Sequence, residues 1–190
     1  MITENYRMSD RSVVKRETRE TRIQLEIQRG EGKGDIETGI PFLDHMMVTF
    51  ARYAGLDVML RAEGDLRHHV IEDVAIAMGA AVAGVIGLSA ARYGTRTIPM
   101  DEALVQACVD MGGRPFYRGP LSSSLYDHWM RSFADNSKAT VHLRVLRGTD
   151  RHHIVEAAFK AFGLAIRDAM CDTGAAAVFS TKGSVSLDVQ

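Results

Sequence analysis

The stretch HHVIED at residues 68–73 returns as HHIVEA at residues 152–157. Both copies have the form HHxxE, with Glu72 and Glu156 as the acidic residues. A doubled motif points to an internal repeat, because self-similarity at a fixed spacing is the signature of a duplicated architecture. We therefore compared the two halves of the 190-residue chain, working outward from these motifs.

The comparison extends well beyond the histidine pairs. The copies are 83 residues apart at an upstream Asp-His dipeptide and 84 residues apart at the HHxxE motifs. The sequence predicts a duplication in which Asp-His, a helix, a strand, a loop, HHxxE and a helix occur twice. We divide it into halves 1–100 and 101–190 of one compact domain. The aligned pairs are Asp44-His45 with Asp127-His128, Phe50-Ala51 with Phe133-Ala134, and Leu60-Arg61 with Leu143-Arg144.

Hydrophobic periodicity predicts the elements of this repeat. Alternating apolar residues predict strands at 21–28, 58–62, 105–109 and 141–145. Helical spacing predicts helices at 71–85 and 155–166, with shorter ones at 42–53 and 126–136. Gly, Pro and Ser content predicts linkers at 30–34, 112–124 and 171–174. Because strands and helices mix without a βαβ rhythm, the pattern favours an α+β fold.

Composition excludes several classes of protein. With 46% hydrophobic and 25% charged residues, the chain is typical of soluble globular domains. Its net charge of −1 argues against a nucleic-acid partner, which would require a basic excess. The apolar run Val74–Leu88 is interrupted by glycines and is too short to span a membrane. Two cysteines do not form a disulfide framework, and the N-terminus has no apolar signal core, so we expect a cytoplasmic protein.

The HHxxE spacing suits metal binding. On a helix, Glu72 lies four residues after His68 and three after His69, so both histidines lie near its carboxylate. Adjacent histidines point about 100° apart around the helix axis, which suits two different metal ions better than one. Imidazole and carboxylate ligands fit Mn, Fe, Co, Ni or Zn, and the lack of thiolate ligands argues against a structural zinc site.

Six histidines and two glutamates form the candidate ligand set, enough for two sites of four ligands. The seventh histidine, His142, is expected to be a surface residue, because its counterpart in the first half is Met59. Asp44 and Asp127 are interpreted as helix caps or as partners of the ligands. The candidate ligands are His45, His68, His69, Glu72, His128, His152, His153 and Glu156.

Several segments follow one another in an order that is typical of a known family. They are TGIPFLDHM (38–46), HHVIEDVAIAMG (68–79), RYG (92–94), PMDEAL (99–104), GGRPF (112–116), HHIVEAAFKAF (152–162) and STKG (180–183). Over about residues 16–185, the sequence resembles the imidazoleglycerol-phosphate dehydratase family. The family's enzymes make imidazole-acetol phosphate and water from imidazole-glycerol phosphate in histidine biosynthesis.

The resemblance implies a duplicated α+β fold with a helical bundle packed between mixed sheets. It implies a lyase with two Mn²⁺ ions per active site, and a homo-oligomer, typically of 24 subunits, whose sites are built from more than one subunit. The eight candidate ligands match the family's metal ligands. Glu20 matches an acidic residue near the substrate and is our candidate acid/base, with Glu72 and Glu156 as further catalytic candidates. Arg92, Arg114, Ser180 and Lys182 match the residues that bind the substrate phosphate.

The predicted chemistry is consistent with these roles. The substrate loses a hydrogen from carbon and a hydroxyl from its neighbour without a carbonyl to acidify the C–H bond. Metal ions stabilise negative charge on an imidazole ring, and a carboxylate then moves the protons. Arginine pairs with phosphate bidentately, and lysine adds a point charge. Taken singly, Arg92, Arg114 and Lys182 are more typical of solvated surface charges, and only the match of neighbouring residues such as GRP and STKG favours phosphate binding.

Two departures from the family pattern leave alternatives open. The approach to His68 and the segment between Pro115 and Asp127 are both shorter than is usual in the family. A divergent paralogue acting on another phosphorylated substrate is one alternative. A non-catalytic assembly bridged by metal ions is the other, although a structural metal clip needs no phosphate-binding residues.

Overall fold

The computed structural model describes residues 10–175, in which one order of elements occurs twice. Each half contains three strands, a helix, a fourth strand and a second helix. The first half comprises β1 (Arg11–Glu17), β2 (Thr21–Arg29), β3 (Gly34–Glu37), α1 (Pro41–Ala54), β4 (Leu56–Gly64) and α2 (Arg67–Val85). The second comprises β5 (Tyr93–Met100), β6 (Ala103–Asp110), β7 (Phe116–Arg118), α3 (Ser124–Ser137), β8 (Thr140–Arg147) and α4 (Arg151–Ala169).

Each half forms its own four-stranded mixed sheet, and the two sheets have equivalent topology. The strand orders are β1-β2-β4-β3 and β5-β6-β8-β7. In both sheets the first two pairings are antiparallel and the last one, β3 with β4 or β7 with β8, is parallel. This equivalence confirms the predicted α+β class and fits the predicted duplication.

The four helices lie between the two sheets. Helices α1 and α2 pack on the first sheet, and α3 and α4 pack on the second. The helices then pair across the halves, because α2 packs against α3 and α1 packs against α4. The resulting layers, sheet, two pairs of helices and sheet, agree with the predicted bundle between mixed sheets.

Alternating strands and apolar helix faces supply the core. Ile23, Leu25 and Ile27 of β2 are at most 1% exposed, while the residues between them face outward. At the centre of the helical layer, Trp129 packs against Phe50 and Phe133, and all three are fully buried. Helix α2 is long and apolar enough to cross a membrane, but 61% of its apolar window is buried within the protein, as in a core helix.

The predicted strands and helices are all present, and the structure adds four strands that periodicity did not indicate. Strand β1 is charged and only half-buried on its inner face, and β7 has three residues, so neither carries a clear apolar alternation. Strands β3 and β5 are likewise polar. As a result, the segment 112–124, predicted to be a linker, contains β7 and the start of α3.

Sheet membership also bears on where the halves meet. Strand β5 ends at Met100 but belongs to the second sheet. We propose that the halves of the repeat join in the segment 86–92, between α2 and β5, rather than at residue 100.

Candidate metal centre

Two clusters of histidine and glutamate side chains lie at the ends of the helices. The first His–Glu group consists of His45 from α1 with His152 and Glu156 from α4. Glu156 Oε2 lies 3.3 Å from His45 Nε2 and 3.1 Å from His152 Nε2. One nitrogen or oxygen atom of each residue lies within 4.8 Å of the others, which is a spacing that one metal ion can bridge.

The second His–Glu group is the repeat-related counterpart of the first: His68 and Glu72 from α2 with His128 from α3. Glu72 Oε2 lies 3.5 Å from His68 Nε2 and 3.3 Å from His128 Nε2. The rings of His68 and His128 stack at 5.2 Å. The Nε2 of His128 is buried and makes no hydrogen bond among the described residues, because its contact with Glu72 Oε2 lacks hydrogen-bond geometry. A buried polar atom without a hydrogen bond is rare, and this nitrogen could instead be a ligand of a metal ion. The donor set therefore fits a metal ion.

Each group combines the two halves of the repeat. The Asp-His helix of one half meets the HHxxE helix of the other, because α1 packs against α4 and α2 against α3. The sequence showed that each half contains both motifs, but it gave no indication that the Asp-His helix of one half packs against the HHxxE helix of the other.

The aspartates of the Asp-His dipeptides are outside the two groups. Asp44 Oδ1 accepts hydrogen bonds from the backbone and hydroxyl of Thr38, at 2.9 and 2.6 Å. Asp127 Oδ1 accepts bonds from the Tyr117 hydroxyl and the Leu121 backbone, at 2.6 and 2.8 Å. Each aspartate therefore fixes the chain that enters its helix, six residues upstream, and so positions the neighbouring histidine on that helix.

The second histidine of each pair faces away from the groups. The ring planes of His68 and His69 differ by 77°, and those of His152 and His153 by 86°. This divergence is what the helical geometry predicted. His69 Nδ1 lies 2.8 Å from Asp65 Oδ1, and His153 Nδ1 lies 2.7 Å from Glu102 Oε2.

These carboxylates set the protonation of the outward histidines. The hydrogen bond to Asp65 raises the pKa of His69, and the bond to Glu102 raises the pKa of His153. Backbone N–H donation from Asp150, together with the bond to His153, lowers the pKa of Glu102 to about 2. A carboxylate on Nδ1 orients the ring and leaves Nε2 as the nitrogen for a metal ion.

Glu20 lies in the turn between β1 and β2, beside His69. Its Oε2 is 3.6 Å from His69 Nδ1, and its side chain is exposed. Glu102 occupies the equivalent turn between β5 and β6, where it contacts His153. The repeat alignment, carried upstream into these hairpins, would have placed Glu102 over Glu20, but sequence reasoning missed Glu102 and Asp65.

Glu156 has an additional partner that Glu72 lacks. Lys160 Nζ lies 2.8 Å from Glu156 Oε1, and Ile76 occupies the equivalent position in α2. Burial alone would raise the pKa of Glu156, but the hydrogen bonds with Lys160 and His45 bring that pKa below its ordinary value. The carboxylate is thus held ionised, which is the form that binds a cation.

The residues matched to phosphate binding, Arg92, Arg114, Ser180 and Lys182, lie outside the four helices that carry the His–Glu groups. The Arg92 guanidinium donates to both carboxylate oxygens of Asp110, at 2.6 and 3.1 Å. A side chain on Gly112 would collide with that guanidinium, so the loop that carries Arg114 passes directly over Arg92. Arg114 itself is exposed. Ser180 and Lys182 lie outside the described residues.

Comparison with known proteins gives consistent matches. A family model described as imidazoleglycerol-phosphate dehydratase matches residues 38–166. A protein of that name from Pyrobaculum calidifontis is 46% identical, over 89% of this chain and 97% of its own length. One from Chlorobium chlorochromatii is 43% identical, over 92% and 96%.

Solved structures agree in fold. A crystal structure of IGPD from Pyrococcus furiosus, in complex with (S)-C348, matches with a TM-score of 0.82 and 38% identity. It covers 90% of this chain and 100% of its own. The imidazoleglycerol-phosphate dehydratase of Staphylococcus aureus matches with a TM-score of 0.77 and 32% identity, over 86% and 99%.

Proposed function

The chain belongs to the imidazoleglycerol-phosphate dehydratase family of hydro-lyases, and from this premise we propose that it is a metal-dependent dehydratase of histidine biosynthesis. It converts imidazole-glycerol phosphate to imidazole-acetol phosphate and water. The observation that carries the proposal is the pair of His–Glu groups, each assembled from both halves of the repeat. Both groups are assembled although the segments before His68 and before Asp127 are shorter than is usual in the family.

We assign one ion, Mn²⁺ by family resemblance, to each His–Glu group. When bound, the ions supply a positive charge that stabilises negative charge on the imidazole ring of the substrate. His45, His152 and Glu156 hold one ion, and His68, Glu72 and His128 hold the other. Each glutamate contributes the negative charge that a neutral imidazole lacks.

The outward histidines complete the sites of neighbouring subunits. His69 and His153 diverge from their own groups and carry carboxylates on Nδ1, so each presents Nε2 away from its own ion. Three ligands from one chain and one from another make up the predicted four. This arrangement requires a homo-oligomer, for which the family resemblance implies 24 subunits.

Glu20 moves the protons of the reaction. Its exposed carboxylate lies 3.6 Å from His69 Nδ1, and this contact supports a position near the ion that His69 would help to bind in the neighbouring subunit. A positioned carboxylate typically contributes about 10²–10⁴-fold to such a step. Arg92, Arg114, Ser180 and Lys182 bind the phosphate, whose binding energy orients the reacting end of the substrate.

The reaction is assigned to the cytoplasm. Both cysteines within residues 10–175 are free thiols, as expected for a reducing compartment.

Anaerobic metal analysis combined with a turnover assay tests the proposal. We expect about two Mn²⁺ ions per chain, one for each His–Glu group, and turnover of imidazole-glycerol phosphate that is lost on chelation and restored by Mn²⁺. Full metal content without turnover would point instead to a paralogue with another substrate or to a metal-bridged assembly. A protein that binds no transition metal, even after reconstitution, would refute both catalysis and assembly through metal ions.

A further inference from the structure

The face of the second sheet that is turned away from the helices carries an unusual concentration of positive charge. Along β8, Val141 and Leu143 are buried, while His142 and Arg144 are exposed; along β7, Tyr117 is buried and Arg118 is exposed. These outward residues border a cavity of about 380 Å³. The polar side chains that line it are Gln106, Cys108, Arg118, His142 and Arg144.

The first half of the repeat provides an internal comparison for this cavity. Asp35 pairs with Met59 in the first sheet, and Arg118 pairs with His142 in the second. Since Met59 and His142 are equivalent in the repeat, Arg118 occupies the position of Asp35. By the same alignment, Arg144 occupies the position of Arg61.

The equivalent arginines therefore have opposite neighbours. In the first half, Arg61 donates from one guanidinium nitrogen to both oxygens of Asp35, each at 2.8 Å. In the second half, the residue at the aspartate position is another arginine. Neither Arg118 nor Arg144 has a carboxylate partner within residues 10–175.

The difference in acidic residues extends beyond this one position, although the outward face of the second sheet keeps Asp110, which pairs with Arg92. At four outward positions of the first sheet that carry an acidic residue, the register places a non-acidic residue at the equivalent position of the second sheet. These pairs are Glu17 with Pro99, Glu26 with Cys108, Asp35 with Arg118, and Asp57 with Thr140.

We propose that this cavity is a binding site for a phosphate-class dianion, either inorganic phosphate or a small phosphate monoester. Two guanidinium groups without a counter-ion repel each other, and a dianion neutralises both, whereas a single carboxylate neutralises one. Guanidinium groups match phosphate oxygens in a bidentate geometry, and the His142 imidazole adds a further donor. The side chains that bind the ion are Arg118, Arg144 and His142.

This site is separate from the proposed reaction site. The sheet itself lies between the cavity and the helices that carry the His–Glu groups. Of the described residues matched to the substrate phosphate, neither Arg92 nor Arg114 lines the cavity. Binding of the dianion in this cavity would thus be independent of substrate binding at the metal centre.

Calorimetric titration of the assembled protein with inorganic phosphate at constant ionic strength, with chloride as the control anion, tests the proposal. In addition to the phosphate position of the reaction site, which Arg118→Asp leaves in place, we expect one phosphate site per chain that weakens about 10- to 100-fold in this variant, because it recreates the ion pair of the first half. Arg118→Lys should retain most of the binding. The reciprocal change Asp35→Arg should create an additional phosphate site on the first sheet.

Two results would overturn the proposal. One is an Arg118→Asp protein that binds phosphate with the stoichiometry and affinity of the wild type. The other is a wild-type protein that binds no phosphate beyond the reaction site. In that case, a change in particle size in Arg118→Asp would mean that an acidic segment of another copy fills the cavity. If Arg118→Asp does not fold, the same titration of Arg118→Gln gives the answer.

Discussion

At the residue scale, neighbouring carboxylates determine the different orientations of the two histidines in each pair. One member of each pair faces a glutamate on its own helix, four residues along, and the other faces a carboxylate from a neighbouring turn. The two outward histidines depend on different carboxylates: Asp65 for His69 and Glu102 for His153. Glu102 also accepts backbone N–H groups of Thr149 and Asp150, so it holds both the start of α4 and its histidine.

Substitution of Glu102 tests this positioning role. In Glu102→Gln, the amide oxygen still accepts the backbone N–H groups, but the charged contact with His153 is lost. We expect Mn²⁺ affinity to fall about 10- to 100-fold, the usual effect of removing a partner from a metal-binding histidine. A titration with Mn²⁺ measures this affinity, with the unbound ion quantified by its electron paramagnetic resonance signal. Glu31→Gln, an exposed change in a turn, is the control, and equal affinities in the two variants would contradict the role.

The equivalent substitution in the first half should have a different effect. Glu20 is 3.6 Å from His69, which already has Asp65 at 2.8 Å, so Glu20→Gln should leave the metal content unchanged. We expect kcat to fall about 10²- to 10⁴-fold, because the variant removes the proposed acid/base group. Steady-state kinetics and metal analysis of the same sample separate the two effects. Loss of metal in parallel with activity would make Glu20 a positioning residue instead.

At the scale of elements, two glycines allow the helices to approach across the halves. A Cβ on Gly79 of α2 would lie 2.5 Å from the Phe133 carbonyl of α3. A Cβ on Gly163 of α4 would lie 2.9 Å from Tyr53 Cβ of α1. The glycines therefore support the two helix pairs that bring each histidine of the Asp-His motifs to its glutamate.

Gly79→Ala should separate α2 from α3. In an open helix this change stabilises, but here the methyl group meets backbone, and overpacking of this kind costs about 1–3 kcal/mol. We expect lower stability in urea and weakened metal binding at the second His–Glu group. Gly84→Ala, in the same helix but exposed and facing the Ser12 side chain, is the matched control and should not destabilise. A Gly79→Ala protein as stable as this control would refute the close-packing argument.

At the scale of the whole molecule, the duplicated fold carries one outward histidine beside each His–Glu group: His69 on α2 and His153 on α4. A single chain brings three candidate ligands together in each group and directs a fourth candidate away from it. The assembly is therefore expected to depend on its metal ions.

Removal of the ions should reduce the size of the particle. We expect a chelator to lower the molecular mass measured by light scattering, and Mn²⁺ to restore it, because each ion joins ligands of different subunits. His153→Ala should give the smaller particle even with Mn²⁺ present. A particle that keeps its full size after complete removal of metal would show that other contacts hold the subunits together.

Sequence alone determined the local chemistry of this protein. The spacing of HHxxE puts a histidine and a glutamate on one helix face, and adjacent histidines must diverge, since both facts follow from 3.6 residues per turn. The repeat in the motifs indicated two equivalent halves, and alternating apolar residues indicated the central strands. Strands β1 and β7 escaped because a half-buried or three-residue strand has little apolar periodicity.

Only the tertiary structure decided which helices meet. The motifs of one half were aligned in sequence, yet each His–Glu group draws on both halves, because packing of α1 on α4 and α2 on α3 buries the apolar faces of the helices between the sheets. The same holds for Glu102 and for the arginines of the second sheet. Their roles depend on residues that are distant in the chain. Short sequence motifs do not indicate such contacts, because the contacts form only when the chain folds.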